Sequence, residues 1–399
     1  MTRQAGMHRR GSLTDVLIAG GFSLWDFYIG PYSGGVRPFD LLGSGAAIVR
    51  SAASQVSSPY VSPWRRLGIA GVVGVVGWAL FITLFHDPST RWKPVIGILL
   101  GLAVLLAMLA TPPSPRALER TTRALLLVHA TALFVQWGWY QGTGSILNYH
   151  AITGGDPRLM AAFFRPAGLF LEPSHFAVFM TMMLLLRLRV LGRLDAPAWI
   201  GIASVLQSLS LLGLLAISYV LVRSRPVLGV AITGAVAFVG GILAASLPRD
   251  SILYTLILAR FENLSTDSSA QGRYGGFLSG GSDLAMSATD WLFGRGFGYE
   301  YVAIGSSSIS FLVNAAGAVG LCLFIVAIGL SSSRGRKFTG SLDVSFLLLA
   351  APFWTFPMWW WWLASLITAR GIVTRVTPRS ARGATSWPSS SSLIHAAAR

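Results

Sequence analysis

The densest group of ionisable side chains in the sequence consists of Arg165, Glu172 and His175, which stand at the start of an apolar run. Their spacing would bring all three to one face of a helix. The sequence predicts such a helix, with Pro166 in its first turn and a kink at Pro173. Ionisable groups within apolar runs usually mark functional sites. The alternatives are that Arg165 and Glu172 pair only to lower the cost of burial, and that His175 is an ordinary core histidine.

The second group of candidates lies in a long polar segment, residues 248–306. Its members are Arg260, Gly272, Arg273, Gly294, Arg295 and Gly296. Arginines flanked by glycines allow backbone N–H groups and a guanidinium to approach one anion together, as phosphate binding requires. We therefore predict that these residues, with His175, bind substrate; the alternative is a flexible turn with solvated arginines. The segment also predicts a surface helix at 251–263 and a helix at 283–292 with Ser282 as its N-cap.

Several familiar catalytic motifs are absent from the sequence. There is no Walker loop, no HExxH zinc motif, no CxxC pair and no GxSxG nucleophile elbow. The segments expected to face outward carry no Asp-x-Asp pair, so metal-dependent transfer from a sugar nucleotide is not supported. We expect no metal and no cofactor.

The elements that must position these candidates are predicted to be membrane helices. The sequence is 53% hydrophobic and only 12% charged, about half the charged fraction of a soluble domain, and its mean hydropathy is +0.61. The net charge of +16 lies in short arginine clusters between apolar runs. That is the pattern of cytoplasmic loops and not of a nucleic-acid-binding face. The prediction is an all-α polytopic membrane protein with the lipid bilayer, and no nucleic acid, as a partner.

Apolar runs near twenty residues are long enough to cross a hydrocarbon layer of ~30 Å. Six of them are strong candidates for spans: 67–85, 94–111, 122–140, 166–186, 226–247 and 307–330. Two weaker candidates are 12–30 and 36–49. The stretches 196–222 and 342–369 are too long for one pass. Arginines flank both stretches on each side, which favours hairpins of two short helices, with breaks at Ser208–Ser210 and at Pro357.

With both hairpins the prediction is about twelve spans in one membrane domain, residues 1–376, with both termini cytoplasmic. Residues 142–165 and 248–306 then face outward, and the second of these is the single long outer loop. Residues 377–399 are rich in serine and low in order-promoting residues. They predict a disordered cytoplasmic tail.

Three smaller groups are predicted to be structural. Arg37 is expected to pair with Asp26 and Asp40 at the outer end of the first two spans. Trp359–Trp362 is expected to form an aromatic belt at the membrane interface. The serines of Ser208–Ser210 are expected to hydrogen-bond between helices and not to act as nucleophiles.

The residues entering the mid-chain span read Arg165-x-x-Gly168-x-Phe170-x-Glu172-Pro173-Ser174. They are followed by Ser208-Leu-Ser210 with Gly213, the long loop with Gly272-Arg273, and Leu292-Phe293-Gly294-x-Gly296-x-Gly298 before a span with Asn314 and Gly317. In order and topology, over roughly residues 150–330, the chain resembles the bacterial O-antigen polymerase and ligase superfamily.

The resemblance implies polymerisation, or transfer, of oligosaccharide units carried on undecaprenyl pyrophosphate at the outer face of the cytoplasmic membrane. It implies the lipid-linked oligosaccharide and a chain-length regulator protein as partners. Ligases of the superfamily have a histidine in the long loop, whereas residues 248–306 contain none, which favours a polymerase. Polymerase loops often have a glycine eleven residues after the arginine, but Phe176 and Leu284 stand there after Arg165 and Arg273. The assignment of these arginines therefore rests on position and surroundings.

The chemistry expected is metal-independent, inverting glycosyl transfer, in which an acceptor hydroxyl displaces undecaprenyl pyrophosphate from the anomeric carbon. Arg165 and Arg273 are expected to stabilise the leaving group, with Arg260 and Arg295 in support. Glu172 is expected either to act as general base or to orient Arg165, and its closeness to arginines favours the second role. Two alternatives are a ligase, and a transporter or flippase. A flippase usually lacks a large outer loop, and the sequence shows no internal repeat.

Overall fold

The computed structural model describes residues 14–24, 27, 37–53, 63–86, 92–151, 165–227, 229–235, 238, 287–297, 308–332, 339–348 and 356–369. Every regular element in these ranges is a helix, which confirms the all-α prediction for the described part of the chain. The predicted tail at 377–399, the predicted surface helix at 251–263 and Ser282 lie outside the described residues.

The helices are numbered here in chain order. They are α1 (14–22), α2 (Pro38–Ala53), α3 (Pro63–His86), α4 (Trp92–Ala110), α5 (Pro115–Thr143), α6 (Pro173–Leu191), α7 (Ala196–Gln207), α8 (Leu211–Ser224), α9 (Ala288–Phe293), α10 (Ser308–Ser332), α11 (Thr339–Leu348) and α12 (Pro357–Thr368). Residues 229–235 are also helical.

Three of these helices are long and apolar enough to cross a membrane. They contain the segments Arg66–Phe85 of α3, Pro173–Leu191 of α6 and Phe311–Ser331 of α10. Shorter apolar helices occupy Val95–Ala110, Ala196–Gln207 and Leu212–Ser224. Length and composition thus support association with a membrane, while the count of twelve spans stays a prediction.

Prolines begin several helices because their missing N–H and fixed φ suit the first turn. Pro115 follows the N-cap Ser114, whose Oγ accepts a hydrogen bond from the backbone N–H of Ala117 at 3.1 Å. Pro173 is likewise the first residue of α6. The predicted kink at Pro173 is therefore wrong, since this proline starts a helix instead of bending one. Pro357 starts α12, which confirms the predicted break there.

Side-chain contacts sort the helix ends into two groups. In the first group, Arg50 near the end of α2 pairs with Asp15 in α1 and donates a hydrogen bond to Thr111 O, just after α4, at 3.0 Å. Gly68, near the start of α3, packs against Ser331 at the end of α10. We call this side of the bundle the arginine end, because most of the arginine clusters of the described residues lie there.

The opposite side of the bundle, which we call the loop end, collects the other termini. Its contacts join Phe27 to His150, Trp78 to Phe293 and Arg37 to Phe356. Arg37 also pairs with Asp40 at 3.8 Å, which confirms that predicted pair, whereas Asp26 lies outside the described residues. These contacts show which helix ends of the described residues are neighbours, and the topology predicted from the charges stays a prediction.

The guanidinium of Arg187 joins three helices at the arginine end. Its side chain is only 1% exposed. Nε donates to Asp195 Oδ1 at 2.7 Å and Nη2 pairs with the other carboxylate oxygen, while Nη1 donates to Glu119 O at 2.9 Å and to Thr122 Oγ1 at 3.3 Å. The hydrogen bond from Arg187 holds the pKa of Asp195 below its ordinary value against the opposing effect of desolvation. One buried cation therefore fixes α5, α6 and the start of α7 together.

The hairpin predicted for residues 196–222 is present as α7 and α8. Its helices have 12 and 14 residues, so they are roughly 18 and 21 Å long and shorter than a hydrocarbon layer of ~30 Å. The turn between them is at Ser208–Ser210, as predicted. Among the described residues, its serines bond to the backbone of the hairpin itself and not to neighbouring helices, contrary to that expectation. Ser208 donates to Val205 O at 2.7 Å, and Ser210 Oγ accepts from the N–H of Gly213 at 3.3 Å.

The prediction of an interfacial belt at Trp359–Trp362 is wrong, because all four side chains are fully buried. The helix α12 runs through the interior of the bundle and contacts α4 and α6. Trp362 Nε1 donates to Met182 O in α6 at 2.7 Å. Trp360 lies against Gly101 of α4, where a Cβ would collide with the indole ring. The four indoles are part of the core.

We predict that Asp195→Asn lowers the free energy of unfolding by roughly 3 kcal/mol, because it leaves the buried guanidinium of Arg187 without its counter-charge. Thermal unfolding of the purified protein in one detergent measures the change. Arg187→Leu should cost a similar amount, and the double variant should cost clearly less than the sum of the two. Strict additivity of the two costs would contradict this account.

Candidate functional site

The segment that carries Arg165 and Glu172 is held in place by Gln136 of α5. Gln136 Oε1 accepts hydrogen bonds from the backbone N–H groups of Ala167 and Gly168, both at 2.9 Å. Its Nε2 donates to Leu147 O at 2.9 Å. A single buried amide thus satisfies two backbone donors and one acceptor in a place where water is scarce.

The same segment packs on α5 through its backbone and its aromatic side chain. Gly168 has φ +59°, and a Cβ there would lie 3.3 Å from the N of Leu133. Gly168 has a left-handed backbone conformation and lies close to α5, and both features explain why the position is glycine. The ring of Phe170 lies 5.1 Å from that of His129 and 5.3 Å from that of Phe179, between centroids. His129 is therefore a packing residue behind the segment.

The predicted helix over the first candidate group is wrong for residues 165–172, which are not helical. Glu172 is the N-cap of α6, with φ −130° and ψ 141°. Its backbone carbonyl accepts from the N–H of His175 at 3.1 Å, and its Oε2 accepts from Ser174 Oγ at 3.1 Å. Arg165, Glu172 and His175 are all half-buried. The three side chains share one short segment at the loop end, but they do not share a helix face.

The turn of the α7–α8 hairpin packs close to this segment. A Cβ on Gly213 would lie 3.2 Å from Cβ of Ala177, one turn into α6. The turn residue Leu209 has φ 50°, an uncommon conformation for a residue with a branched side chain. The start of α8 and the first turn of α6 are thus neighbours in the structure.

The Gly294-Arg295-Gly296 segment is docked against a break in α10. The break is at Gly317, which has φ 74° and ψ 177°. Arg295 N–H donates to Asn314 O at 2.7 Å and Gly296 N–H donates to Ala315 O at 3.1 Å, so carbonyl groups near the break accept both of them. Phe297 N–H then donates to Thr83 Oγ1 in α3 at 2.6 Å.

This docking uses the amides that were predicted to bind an anion. The N–H of Gly294 is also used, since it donates to Asp290 O at 2.7 Å. The prediction that Gly294 and Gly296 offer backbone donors to substrate therefore disagrees with the geometry. Their positive φ values, +86° and +82°, serve the close approach to α10 and α3.

Arg295 is neither solvated nor free to approach an anion with its whole guanidinium. It is 8% exposed and pairs with Asp290, with Nε at 3.0 Å and Nη2 at 2.9 Å from Oδ2. Desolvation opposes ionisation of Asp290, but hydrogen bonds from Ser287 and Arg295 keep its pKa below the ordinary value. A role of Arg295 in substrate binding stays a prediction, and its observed role is to fix the end of α9.

The helix predicted at 283–292 begins later than predicted. Ser287 is extended and caps α9, which starts at Ala288. The cap is a reciprocal capping box, in which Ser287 Oγ accepts from Asp290 N–H and Asp290 Oδ2 accepts from Ser287 N–H, both at 3.1 Å. The three remaining candidates, Arg260, Gly272 and Arg273, lie outside the described residues, so their roles stay predictions.

Sequence reasoning missed the side chains that hold both segments, namely Gln136 and Thr83. Each is a polar residue inside an apolar run, and each turns out to be buried and hydrogen-bonded. A polar residue at such a place is a signal for a backbone partner from outside the helix. The identity of that partner is not visible from spacing alone.

Among the described residues, no group of three or more His, Cys, Asp or Glu side chains could hold a metal ion. Comparisons with protein-family models, with curated proteins and with solved structures find no match to this chain. The candidate site consists of a guanidinium and a carboxylate, both half-buried, on a loop fixed by Gln136 and near the turn at Leu209.

We predict that Gln136→Leu speeds hydrogen exchange of the Ala167 and Gly168 amides by roughly tenfold or more, because two buried donors lose their acceptor. Exchange measured by mass spectrometry on the segment 165–172 tests this. Gln136→Glu is the matched control, since it keeps the acceptor and should keep most of the protection. Unchanged exchange in the leucine variant would show that Gln136 does not hold the segment.

We also predict that Gly317→Ala destabilises the protein by at least ~1 kcal/mol. The residue has φ +74°, and a Cβ there would collide with Leu292 O. Gly77→Ala in α3 is the control, because nothing lies within 4 Å of its added Cβ. The midpoint of thermal unfolding should be lower for Gly317→Ala than for Gly77→Ala. Equal midpoints would argue against the observed break in α10.

Proposed function

We propose that this protein polymerises oligosaccharide units linked to undecaprenyl pyrophosphate at the outer face of the cytoplasmic membrane. The reaction is metal-independent, inverting glycosyl transfer. An acceptor hydroxyl attacks the anomeric carbon of the donor chain, the bond from that carbon to the pyrophosphate oxygen breaks, and the hydroxyl proton passes to a base or to water.

The observation that carries the proposal is the placement of Arg165 and Glu172. Both are half-buried on a non-helical segment whose backbone is fixed by Gln136. The segment precedes the 19 residues of α6, so it lies ~28 Å from the arginine end. A pyrophosphate leaving group needs fixed cations, and the guanidinium of Arg165 is proposed to supply one such charge.

The remaining parts of the proposal extend beyond the described residues. Arg273, Arg260 and Arg295 are proposed to assist Arg165, and Glu172 to orient its guanidinium. The chain is proposed to have about twelve spans, both termini in the cytoplasm and the loop 248–306 outside. The two groups of helix ends support this alternation, because the hairpin α7–α8 returns to the end from which it starts.

A strain that lacks the protein should accumulate lipid-linked single repeat units, which gel electrophoresis and mass spectrometry of extracted lipids would detect. Complementation with Arg165→Ala should lower the rate of chain growth by about a hundredfold, as expected for loss of a charge that stabilises the leaving group. Arg116→Ala, an exposed arginine at the arginine end, is the control and should restore long chains.

Other outcomes of the same experiment would favour the two alternatives. Accumulation of full-length lipid-linked chains in the deletion strain would indicate a ligase. If Arg273→Ala left glycan chain length unchanged while blocking export of the lipid-linked unit, a transporter would be indicated. If the Arg165→Ala strain made surface polysaccharide of normal chain length, the proposed role of Arg165 in stabilising the leaving group would be wrong.

A further inference from the structure

A cavity of about 280 Å³ lies at the arginine end, between the ends of α6 and α8 and the start of α11. Its polar lining consists of Arg189, Arg223, Ser224 and Asp343, with Leu185 and Leu188 on the apolar side. It is separate from the segment 165–172, since the length of α6 lies between them. The proposed glycan chemistry makes no use of it.

Among the lining residues that the structure describes, two are arginines and one is an aspartate. Asp343 Oδ1 accepts from Tyr219 Oη at 2.8 Å and from Arg223 Nε at 3.2 Å. Arg189 is near enough to Asp343 to interact with it electrostatically. The described lining therefore has more guanidinium groups than carboxylates.

Arg223 is arranged to hold a second acceptor. The contact with Asp343 uses Nε, and the side chain is 27% exposed while that of Asp343 is 3% exposed. The fork of terminal nitrogens on the same guanidinium can bind two oxygens of one tetrahedral anion. Tyr219 donates to the same oxygen of Asp343, so the carboxylate that holds Arg223 has a second hydrogen bond to position it.

We infer that this cavity binds a phosphate group, held by Arg223 and Arg189. Basic pockets between membrane helices at the cytoplasmic boundary commonly take anionic lipid head groups. Leu185 and Leu188, on the apolar side of the cavity, suit the first carbons of the acyl chains of such a lipid. A free phosphate or pyrophosphate offers the same chemistry to the arginines, and the inference is independent of the polymerase proposal.

The test uses the purified full-length protein in detergent with four additions: phosphatidylglycerol, phosphatidylcholine, inorganic phosphate and inorganic pyrophosphate. Binding is followed by native mass spectrometry for the lipids and by calorimetry for the soluble anions. We expect phosphatidylglycerol to bind more tightly than phosphatidylcholine. Phosphate or pyrophosphate could instead bind tightly and lose affinity in the Arg223→Gln and Arg189→Gln variants. That result would identify a soluble anion as the ligand and would still support the site.

Arg223→Gln and Arg189→Gln should each weaken binding of the anion by about tenfold, as loss of one charge-assisted contact predicts. Arg116→Gln removes the same charge from an exposed position on α5, outside the cavity, and should leave binding unchanged. Asp343→Asn keeps an oxygen that accepts from Tyr219 but removes the competing negative charge. It should strengthen binding several-fold, a gain that misfolding would not produce.

The inference is overturned if phosphatidylglycerol, phosphate and pyrophosphate all bind no better than phosphatidylcholine. It is also overturned if Arg223→Gln and Arg189→Gln behave like Arg116→Gln, since binding would then reflect charge in general. A failure here leaves the polymerase proposal intact, because that proposal is read out by glycan chain length.

Discussion

Backbone polar groups within an apolar helix bundle have to find partners in the protein, because hydrocarbon offers none. The chain interrupts its helices at residues 165–172, at the hairpin turn and at Gly317, and each interruption frees such groups. Gln136 accepts from two N–H groups of the first, and Ser210 caps the helix after the second. Near the third, the carbonyls of Asn314 and Ala315 accept from the N–H groups of Arg295 and Gly296. The positions of these few partners decide where the chain can leave helical geometry.

The same constraint governs the charges. Arg187 and Arg295 are buried and each has a carboxylate partner, Asp195 and Asp290. A buried charge without a partner would be strongly destabilising, so these two ion pairs help to hold the fold together. Arg165 is less buried than these two arginines, because it lies on a loop and is only half-buried. Burial and pairing therefore identify Arg187 and Arg295 as arginines that hold the fold.

The sequence was sufficient for the helical class, for the hairpin turn at Ser208–Ser210 and for the Arg37–Asp40 pair, because apolar runs, charge clusters and short spacings are local signals. It misassigned Pro173 and Trp359–Trp362. A proline starts or bends a helix depending on its neighbours, and a tryptophan is interfacial or buried depending on what packs over it. The partners of Gln136 could not be predicted, since they are about thirty residues away along the chain.

The hairpin of α7 and α8 also has a consequence for biogenesis. Both of its ends lie on the side of the bundle where α6 ends, and its turn hydroxyls bond to its own backbone. The pair can therefore enter the bilayer as one unit without carrying a hydrophilic loop to the far side. The helices that the hairpin packs against are synthesised before it, because Gly201 and Gly213 contact α5 and α6. We therefore expect the hairpin to insert by packing on α5 and α6, without translocation of a long polar loop.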